Sequence, residues 1–549
     1  MGKLSYLHIN PTAPNTYITL NDAMKKNAEN CPDTEAFIYR NEHGDRRSIT
    51  FGDLYERGQC VAQYLVTSGV QRQDKVALFG PNTLARIVAE FGILLAGAVV
   101  LHLNVDVKTA SDTNDILEKA KCKVVFVDPG ENDIFLPTIQ KLINECQLIF
   151  LRKPGSAYTD PVVINDIQTS CDTSVKLPEV QPEDEAIIFT TSGSTGKPKM
   201  VIHCHFDFTL GLEAYFELLP ESKKTFNDRP FCWLGGSQAF ATVSGSTIVF
   251  TDSNLGSSAR GIKLIWKIIT EEKVTDGMFM PYCLYDLLAE QDNIKDDGYR
   301  LETIMTGGQV IDKECTKVIG RFCKKIGVGY GSTEVMGVSF ILIENSEDFE
   351  TGCVGKPIPG VEVRIVGENG QVVPVGEEGE LQIRSSFLTK GYYADEEMTN
   401  RAYTKDRPSW FRIEDIGKMT ESGELIMRGR VKENISRGGR KILPGVVDDV
   451  VKKMEGISLV ATVAVPDVRL YEEVCVCYTA TDGVDLSPSD VELYCKQNFS
   501  TEETGDGMGS SPTYFIRFDS FPTVFTGKVD KQTLKRQAAE RLNLTLQLN

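Results

Sequence analysis

The chain holds fourteen cysteines but no pair at C-x-x-C spacing. They are scattered singly from Cys31 to Cys495, so neither a zinc site nor a disulfide framework is expected, and free thiols in a reducing compartment are. The nearest pair, Cys475 and Cys477, lies in the apolar run Val474–Tyr478, where i, i+2 spacing puts both on one face of a strand. His203-Cys204-His205 reads as the start of a helix rather than a metal pair. A positive surplus is also missing. Fifty-nine Lys and Arg face 77 Asp and Glu, a formal net charge of −18, which argues against nucleic acid as a partner. The longest apolar run, Phe91–Leu101, is too short to cross a bilayer and suits a buried helix and strand. The N-terminus lacks a charged-then-apolar leader pattern, and the last residues, Leu-Gln-Leu-Asn549, are not a Ser-Lys-Leu address. The cytosol is therefore the expected compartment. No internal repeat or low-complexity tract occurs, and no Ser/His/Asp or Cys/His constellation calls for a covalent enzyme intermediate.

At 549 residues the chain exceeds one ordinary core, so two or more domains are expected. Strand-like runs at Val76–Phe79, Val99–Leu101 and Val124–Asp128 alternate with helical patterns at Thr83–Leu95 and near Thr109–Ala120. That alternation predicts an α/β fold with parallel-rich sheets and helices on their faces. A similar unit is expected from Ala186 to Phe208. From about Gly360 the texture becomes short strands with Gly/Glu turns, at Val361–Val366, Gly379–Arg384 and Glu424–Met427, which predicts a β-rich subdomain.

One segment stands out chemically: Phe189-Thr-Thr-Ser-Gly-Ser-Thr-Gly-Lys-Pro-Lys199, directly after the apolar run Ala186–Phe189. Its glycines let backbone approach an anion, successive N–H groups form a concave donor surface, and lysines add charge. It is not a Walker A loop, because only two residues separate Gly193 from Gly196, and Pro198 follows Lys197 where a magnesium-binding hydroxyl is required. Further segments follow in order: Thr306-Gly307-Gly308-Gln309, Tyr330-Gly-Ser-Thr-Glu334, Gly352-x-x-Gly-x-Pro-x-Pro-Gly360 and Lys390-Gly-Tyr-Tyr393. Then come Trp410-Phe-Arg-x-x-Asp415, Gly429-Arg-Val-Lys432, Gly438-Gly-Arg-Lys441 with Pro444, and Pro522-x-x-x-x-Gly-Lys528.

Together these segments resemble the adenylate-forming superfamily of acyl-CoA synthetases, 4-coumarate-CoA ligases, insect luciferases and amino-acid adenylation domains. The resemblance covers nearly the whole chain. It implies a large N-terminal domain over 1–429, with the β-rich subdomain at about 352–429, and a small α+β C-terminal lid over 430–549 that turns about a hinge at Lys432.

The implied reaction joins a carboxylate to the α-phosphate of ATP, releasing pyrophosphate, and then passes the acyl group to a thiol with loss of AMP. Two anions must meet, so the site has to neutralise charge and fix in-line geometry. By resemblance Thr191, Ser192, Gly193, Ser194, Thr195 and Gly196 wrap the phosphates, and Lys199 steadies the loop or the leaving pyrophosphate. Thr333 contacts the α-phosphate and Glu334 holds Mg2+, a hard cation that takes few carboxylates plus phosphate oxygens. Tyr330, Gly331, Gln309 and the Gly307-Gly308 backbone enclose the adenine, while Asp415 and Arg430 take the ribose. Lys528 bridges the substrate carboxylate and α-phosphate, a task suited to a compact charge on a long stem. In the second half-reaction the Gly438-Gly439 turn replaces it beside the CoA tunnel.

Two features depart from that pattern. Relatives carry Thr-Gly-Asp where this chain has Ile413-Glu414-Asp415, which adds bulk and charge beside the ribose ligand; and Thr504–Ser510 replaces a Lys/Pro-bearing approach to the last strand. The resemblance places the acyl wall at Phe231, Trp233 and Met336 with their neighbours, all apolar, and nothing there meets an amino group. The stretch Gly235–Val249 is a residue or two shorter than in typical relatives, and the chain ends without a carrier-domain serine motif. The expected activity is thus ATP-, Mg2+- and CoA-dependent ligation of an apolar carboxylic acid, medium-chain fatty or aryl, by a monomer or homodimer. The alternatives are a luciferase-like or stand-alone adenylating enzyme that does not use CoA, and an inactive relative that binds adenylate or acyl-CoA.

Overall fold

The computed structural model describes residues 3–544 apart from 12–16, 104–109, 131–145, 156–160, 170, 192–197, 219–222, 228, 252–260, 309–310, 312, 368, 431–434, 443, 482, 500–510, 523–528 and 530. A six-stranded sheet holds Lys75–Phe79, Val99–His102, Val124–Val127, Gln147–Phe150 and Glu185–Thr191 in parallel, closed by antiparallel Lys199–Cys204. The helices Phe51–Thr67 and Leu84–Leu95 pack together beside it, each started by a threonine whose hydroxyl accepts from the third backbone N–H beyond it, Thr50 from Asp53 and Thr83 from Arg86. Leu84–Leu95 is buried on nearly all sides, as its sequence requires, yet Arg86 and Glu90 are buried with it.

A second ladder runs through fourteen strands. Its parallel part joins Glu35–Arg40, Lys224–Asn227, Thr247–Phe250, Asp276–Met278, Leu301–Gly307 and Cys323–Tyr330. The expected β-rich subdomain is antiparallel: Val361–Val366, Glu378–Ser385, Phe411–Met419 and Leu425–Arg430. Its ladder is continuous with the parallel part, because Cys353–Pro357 pairs with both Ser339–Ile343 and Leu425–Arg430. Tyr6–His8 adds an edge strand against Val361–Val366, so the chain's start belongs to this subdomain. The small C-terminal domain builds a five-stranded, mainly antiparallel sheet around Ile457–Asp467 and Tyr471–Ala480, flanked by helices Pro444–Val451, Pro488–Asn498 and Lys531–Arg541.

Three local expectations are corrected. The unit from Ala186 to Phe208 is not a plain strand–helix step: the phosphate segment joins two antiparallel strands, Glu185–Thr191 and Lys199–Cys204, before the helix His205–Phe216. His203 accordingly lies within a strand that ends at Cys204, and the helix begins at His205. The third concerns thiols. Cys60 and Cys171 form a disulfide across 111 residues, which tethers Phe51–Thr67 to a loop far along the chain. Spacing cannot reveal such a pair, since tertiary folding alone brings the two together. The other twelve cysteines are free, and Cys475 and Cys477 sit two apart on one strand as anticipated.

Candidate active site

The residues flanking the phosphate segment converge with those of three distant strands. Thr191 ends one strand in register with Lys199 at the start of the next. Ser192, Gly193, Ser194, Thr195 and Gly196 lie outside the described residues, as do Gln309, Lys432 and Lys528. The Lys199 ammonium stands 5.0 Å from the centre of the Tyr392 ring, and the Tyr392 hydroxyl donates to Glu334 Oε1 at 3.0 Å. Ser332 Oγ donates to the other carboxylate oxygen, also at 3.0 Å. Burial and the adjoining Glu334 carboxylate push the Tyr392 phenol far above its ordinary pKa, so it is a fixed donor. Lys199, Tyr392 and Glu334 thus form one linked unit, a lysine and a carboxylate held about one ring.

Thr333 is anchored from behind. His203 Nε2 donates to its carbonyl at 2.6 Å, which fixes the hydrogen on that nitrogen because a carbonyl only accepts. His203 Nδ1 faces Asp207 Oδ2 at 3.3 Å, and the same carboxylate accepts from the Cys204 backbone N–H. This strut runs from the phosphate hairpin to the Tyr330–Glu334 segment.

Asp415 and Arg430 are register partners on neighbouring strands, and Tyr330 Oη donates to Asp415 Oδ2 at 2.6 Å. Between the pairs Glu380–Ile416 and Gln382–Arg412, residues 413–415 stand opposite Leu381 alone, which makes a bulge. Glu414 sits in it with φ of +63°, left-handed backbone that favours glycine. The glycine of relatives at this position therefore has a steric reason, and this chain keeps the bend while losing the residue that suits it.

Gly307 ends a parallel strand where a Cβ would overlap the Gly329 carbonyl, so only glycine brings these two backbones together. Gly331 follows Tyr330 at the turn into Thr333. Phe231 is fully buried, its ring 5.0 Å from that of Phe250, and its N–H donates to Asn82. Trp233 is half-buried at the start of a 3-10 turn, Leu234–Gly236. Met336 has φ of +53° and packs against Gly211 of the helix after the hairpin.

The C-terminal domain touches this region through the Gly438-Gly439 turn. A Cβ on Gly439 would overlap the Met280 methyl, and the same methyl lies 3.8 Å from the Cβ position of Gly308. Met280 is therefore sandwiched between the turn and the Gly307-Gly308 backbone. Beside it, Arg469 grips Asp286 with two bonds, Nε to Oδ1 at 2.7 Å and Nη2 to Oδ2 at 2.9 Å, and its guanidinium lies over the Tyr282 ring. Leu470 joins the apolar core of the larger domain.

Sequence reasoning gave no role to Tyr392, His203, Met280 or the Arg469–Asp286 pair. Tyr392 had a signal, since Lys390-Gly-Tyr-Tyr393 is one of the ordered segments. The others act through contacts between distant segments and leave no local mark.

The profile of the AMP-binding enzyme family matches residues 24–393. The chain is 25% identical to the mitochondrial medium-chain acyl-CoA ligase ACSF2 of Danio rerio, over 98% of this chain and 91% of that protein. It is 27% identical to the putative acyl-CoA ligase YdaB of Bacillus subtilis (strain 168), over 89% and 94%. Among solved structures, the amide bond synthetase McbA from Marinactinospora thermotolerans superposes with a TM-score of 0.76 at 20% identity, covering 95% of this chain and 99% of that one. A Mycobacterium tuberculosis fatty acyl CoA synthetase gives 0.64 at 22% identity, covering 95% and 99%. With that match over most of its length, the chain belongs to the AMP-binding, adenylate-forming enzyme family, in its acyl-CoA ligase branch.

Proposed function

We propose that the protein activates an apolar carboxylic acid, medium-chain fatty or aryl, as an acyl-adenylate and then transfers the acyl group to CoA. The observation that carries the second step is Met280, held between the Gly438-Gly439 turn and the Gly307-Gly308 backbone. In this orientation the smaller domain presents a side-chain-free turn to the face where the adenylate is read to lie.

In the first step the Gly307-Gly308 backbone and Tyr330 receive the adenine, and Asp415 with Arg430 takes the ribose. Lys199 meets phosphate charge from the start of its strand, held by the Tyr392 ring. Glu334 suits Mg2+: a carboxylate oriented by Tyr392 and Ser332 fits a hard cation whose other ligands come from phosphate and water. When bound, that ion neutralises phosphate charge. His203 keeps the Thr333 segment at a fixed distance from the hairpin, so the hydroxyl is positioned before ATP arrives. The smaller domain, from about residue 430, turns about Lys432 to bring Lys528 in for adenylation and Gly438-Gly439 for thioester formation.

The test is pyrophosphate release over straight-chain and aryl acids, with and without CoA, alongside mass detection of the thioester. Acid-dependent pyrophosphate release with a CoA thioester supports the reading. Adenylate that accumulates and never reaches CoA would assign a stand-alone adenylating enzyme instead.

A further inference from the structure

Helix Leu84–Leu95 carries two charged residues into an otherwise apolar core. Arg86 is completely buried and Glu90 is 2% exposed. Arg86 Nη1 donates to the Gly80 carbonyl at 2.9 Å, and Nη2 donates to His102 Nδ1 at 2.9 Å. Its Nε has no partner, and among the described residues no carboxylate forms an ion pair with it. Asp128, the other nearby acid, is already matched by Arg152 at 3.4 Å and by the Gly130 N–H. Because His102 Nδ1 accepts from a guanidinium, its hydrogen must sit on Nε2. That hydrogen faces Glu90 Oε2 at 3.5 Å, too far to bond, and neither atom finds another partner. Both amide atoms of Gln238 are also buried, within reach of the Glu90 carboxyl.

The cluster therefore holds a buried guanidinium with one N–H unused, beside a carboxyl with which it makes no ion-pair contact among the described residues. Buried polar groups are rarely left so, and a guanidinium least of all. It also abuts the acyl wall. Gln238 lies two residues beyond the Phe231–Gly236 segment, and although burial lowers the Arg86 guanidinium from its usual range, Cys232 of that segment is close enough to oppose the shift. Asn82, just before the helix, clamps the start of the same segment, donating to the Arg229 carbonyl and accepting from the Phe231 N–H.

We propose that Arg86, with His102, Glu90 and Gln238, forms the inner end of the acyl site and receives a second carboxylate at the far end of the substrate. The preferred acid is then an α,ω-dicarboxylic one. This rests on reading Phe231–Gly236 as acyl wall and narrows the class named above: apolar along the chain, anionic at its tip. Glu90 fits the role as a neutral acid. Burial pushes it up to about 8 against the pull of Arg86 and Gln238, while burial and Arg86 hold His102 well below its usual range. The charged and titratable groups near Glu90 are Arg86 on its own helix, His102 on the neighbouring strand, Cys232 on the wall, and the Asp128–Arg152 pair beyond. At neutral pH the pocket presents the Arg86 cation beside a protonated Glu90. Above about 8 Glu90 ionises, cancels that charge and repels a distal carboxylate.

The experiment measures kcat/KM for pyrophosphate release with monocarboxylic acids, α,ω-diacids and their ω-amides of matched length, across pH. The wild type should favour the diacid by on the order of tenfold or more over the monoacid, with the amide between. Arg86→Met should cost the diacid on the order of 10²-fold, spare the monoacid and leave the ATP KM unchanged. The diacid advantage should fall as pH rises through about 8, and Glu90→Gln should remove that fall. A wild type that favours the monoacid overturns the proposal while leaving acid–CoA ligation intact. So does equal loss on both acids in Arg86→Met, or a pH profile that Glu90→Gln does not alter. If Arg86→Met fails to fold, the wild-type preference and the Glu90→Gln profile decide. If no acid releases pyrophosphate, the proposed function falls and this inference with it.

Discussion

Glu414 shows how a single residue can keep a backbone shape its side chain does not favour. Its φ of +63° lies where any Cβ crowds its own backbone, at a cost of about 1 kcal/mol. Its charge also reaches Tyr392, which orients Glu334, so it adds negative potential beside the nucleotide site. Glu414→Gly should gain about 1 kcal/mol of stability and lower the ATP KM. Glu414→Ala separates the causes, since it removes the charge but keeps the strain: it should lower KM without the stability gain. Thermal melting and ATP titration of the two variants check this. The neighbouring Tyr392 makes a second case. Tyr392→Phe keeps the ring under Lys199 and removes only the donor to Glu334. A hydrogen bond to a charged group contributes about 1.5–3 kcal/mol, so adenylation should slow on the order of ten- to hundredfold with the acid KM unchanged. The departure at 414 was legible from sequence as a missing glycine, but its meaning required the backbone angle.

At the scale of elements, legibility followed locality. Val361–Val366 lies where alternation and turn residues put it, and Leu84–Leu95 differs from its expected span only in that Thr83 is the cap. Pairing was harder to read. The hairpin around the phosphate segment, the edge strand Tyr6–His8 and the Cys60–Cys171 bridge all join residues that carry no mutual signal along the chain. Gly438 and Gly439 were legible as a turn, and the structure adds what the turn meets. Gly439 has φ of +83° and no room for a methyl beside Met280. Gly439→Ala should therefore push the turn off the Gly308 face. Displacement by about 1 Å can cost on the order of 10²-fold in a positioned reaction, so transfer of supplied acyl-adenylate to CoA should fall by that order. Adenylation, which is read to use another orientation, should survive. Equal loss in both half-reactions would mean that the turn merely supports the fold.

The proposed turn of the smaller domain requires a contact with the larger one that is strong enough to hold and weak enough to release. One side of that balance is visible. Arg469 binds Asp286 bidentately over Tyr282, and the hydrogen bonds it donates to Asp286 raise the guanidinium above its usual pKa, so it stays charged throughout. Leu470 is buried in the larger domain beside it. These contacts belong to the orientation that brings Gly439 to Met280, and a domain held there cannot at the same time present a different face. Arg469→Gln should remove on the order of 1.5–3 kcal/mol from this orientation alone. Thioester formation from supplied acyl-adenylate should then slow on the order of ten- to hundredfold, while adenylation is unchanged or faster because the competing orientation is less populated. Lys528→Ala should give the mirror image, with adenylation lost on the order of 10²–10³-fold and transfer spared. Measured as pyrophosphate release and thioester formation in separate single-turnover experiments, the two variants should fall on opposite sides of the wild type. If Arg469→Gln slows both steps together, the ion pair is structural glue, and the two half-reactions do not divide between two orientations of this domain.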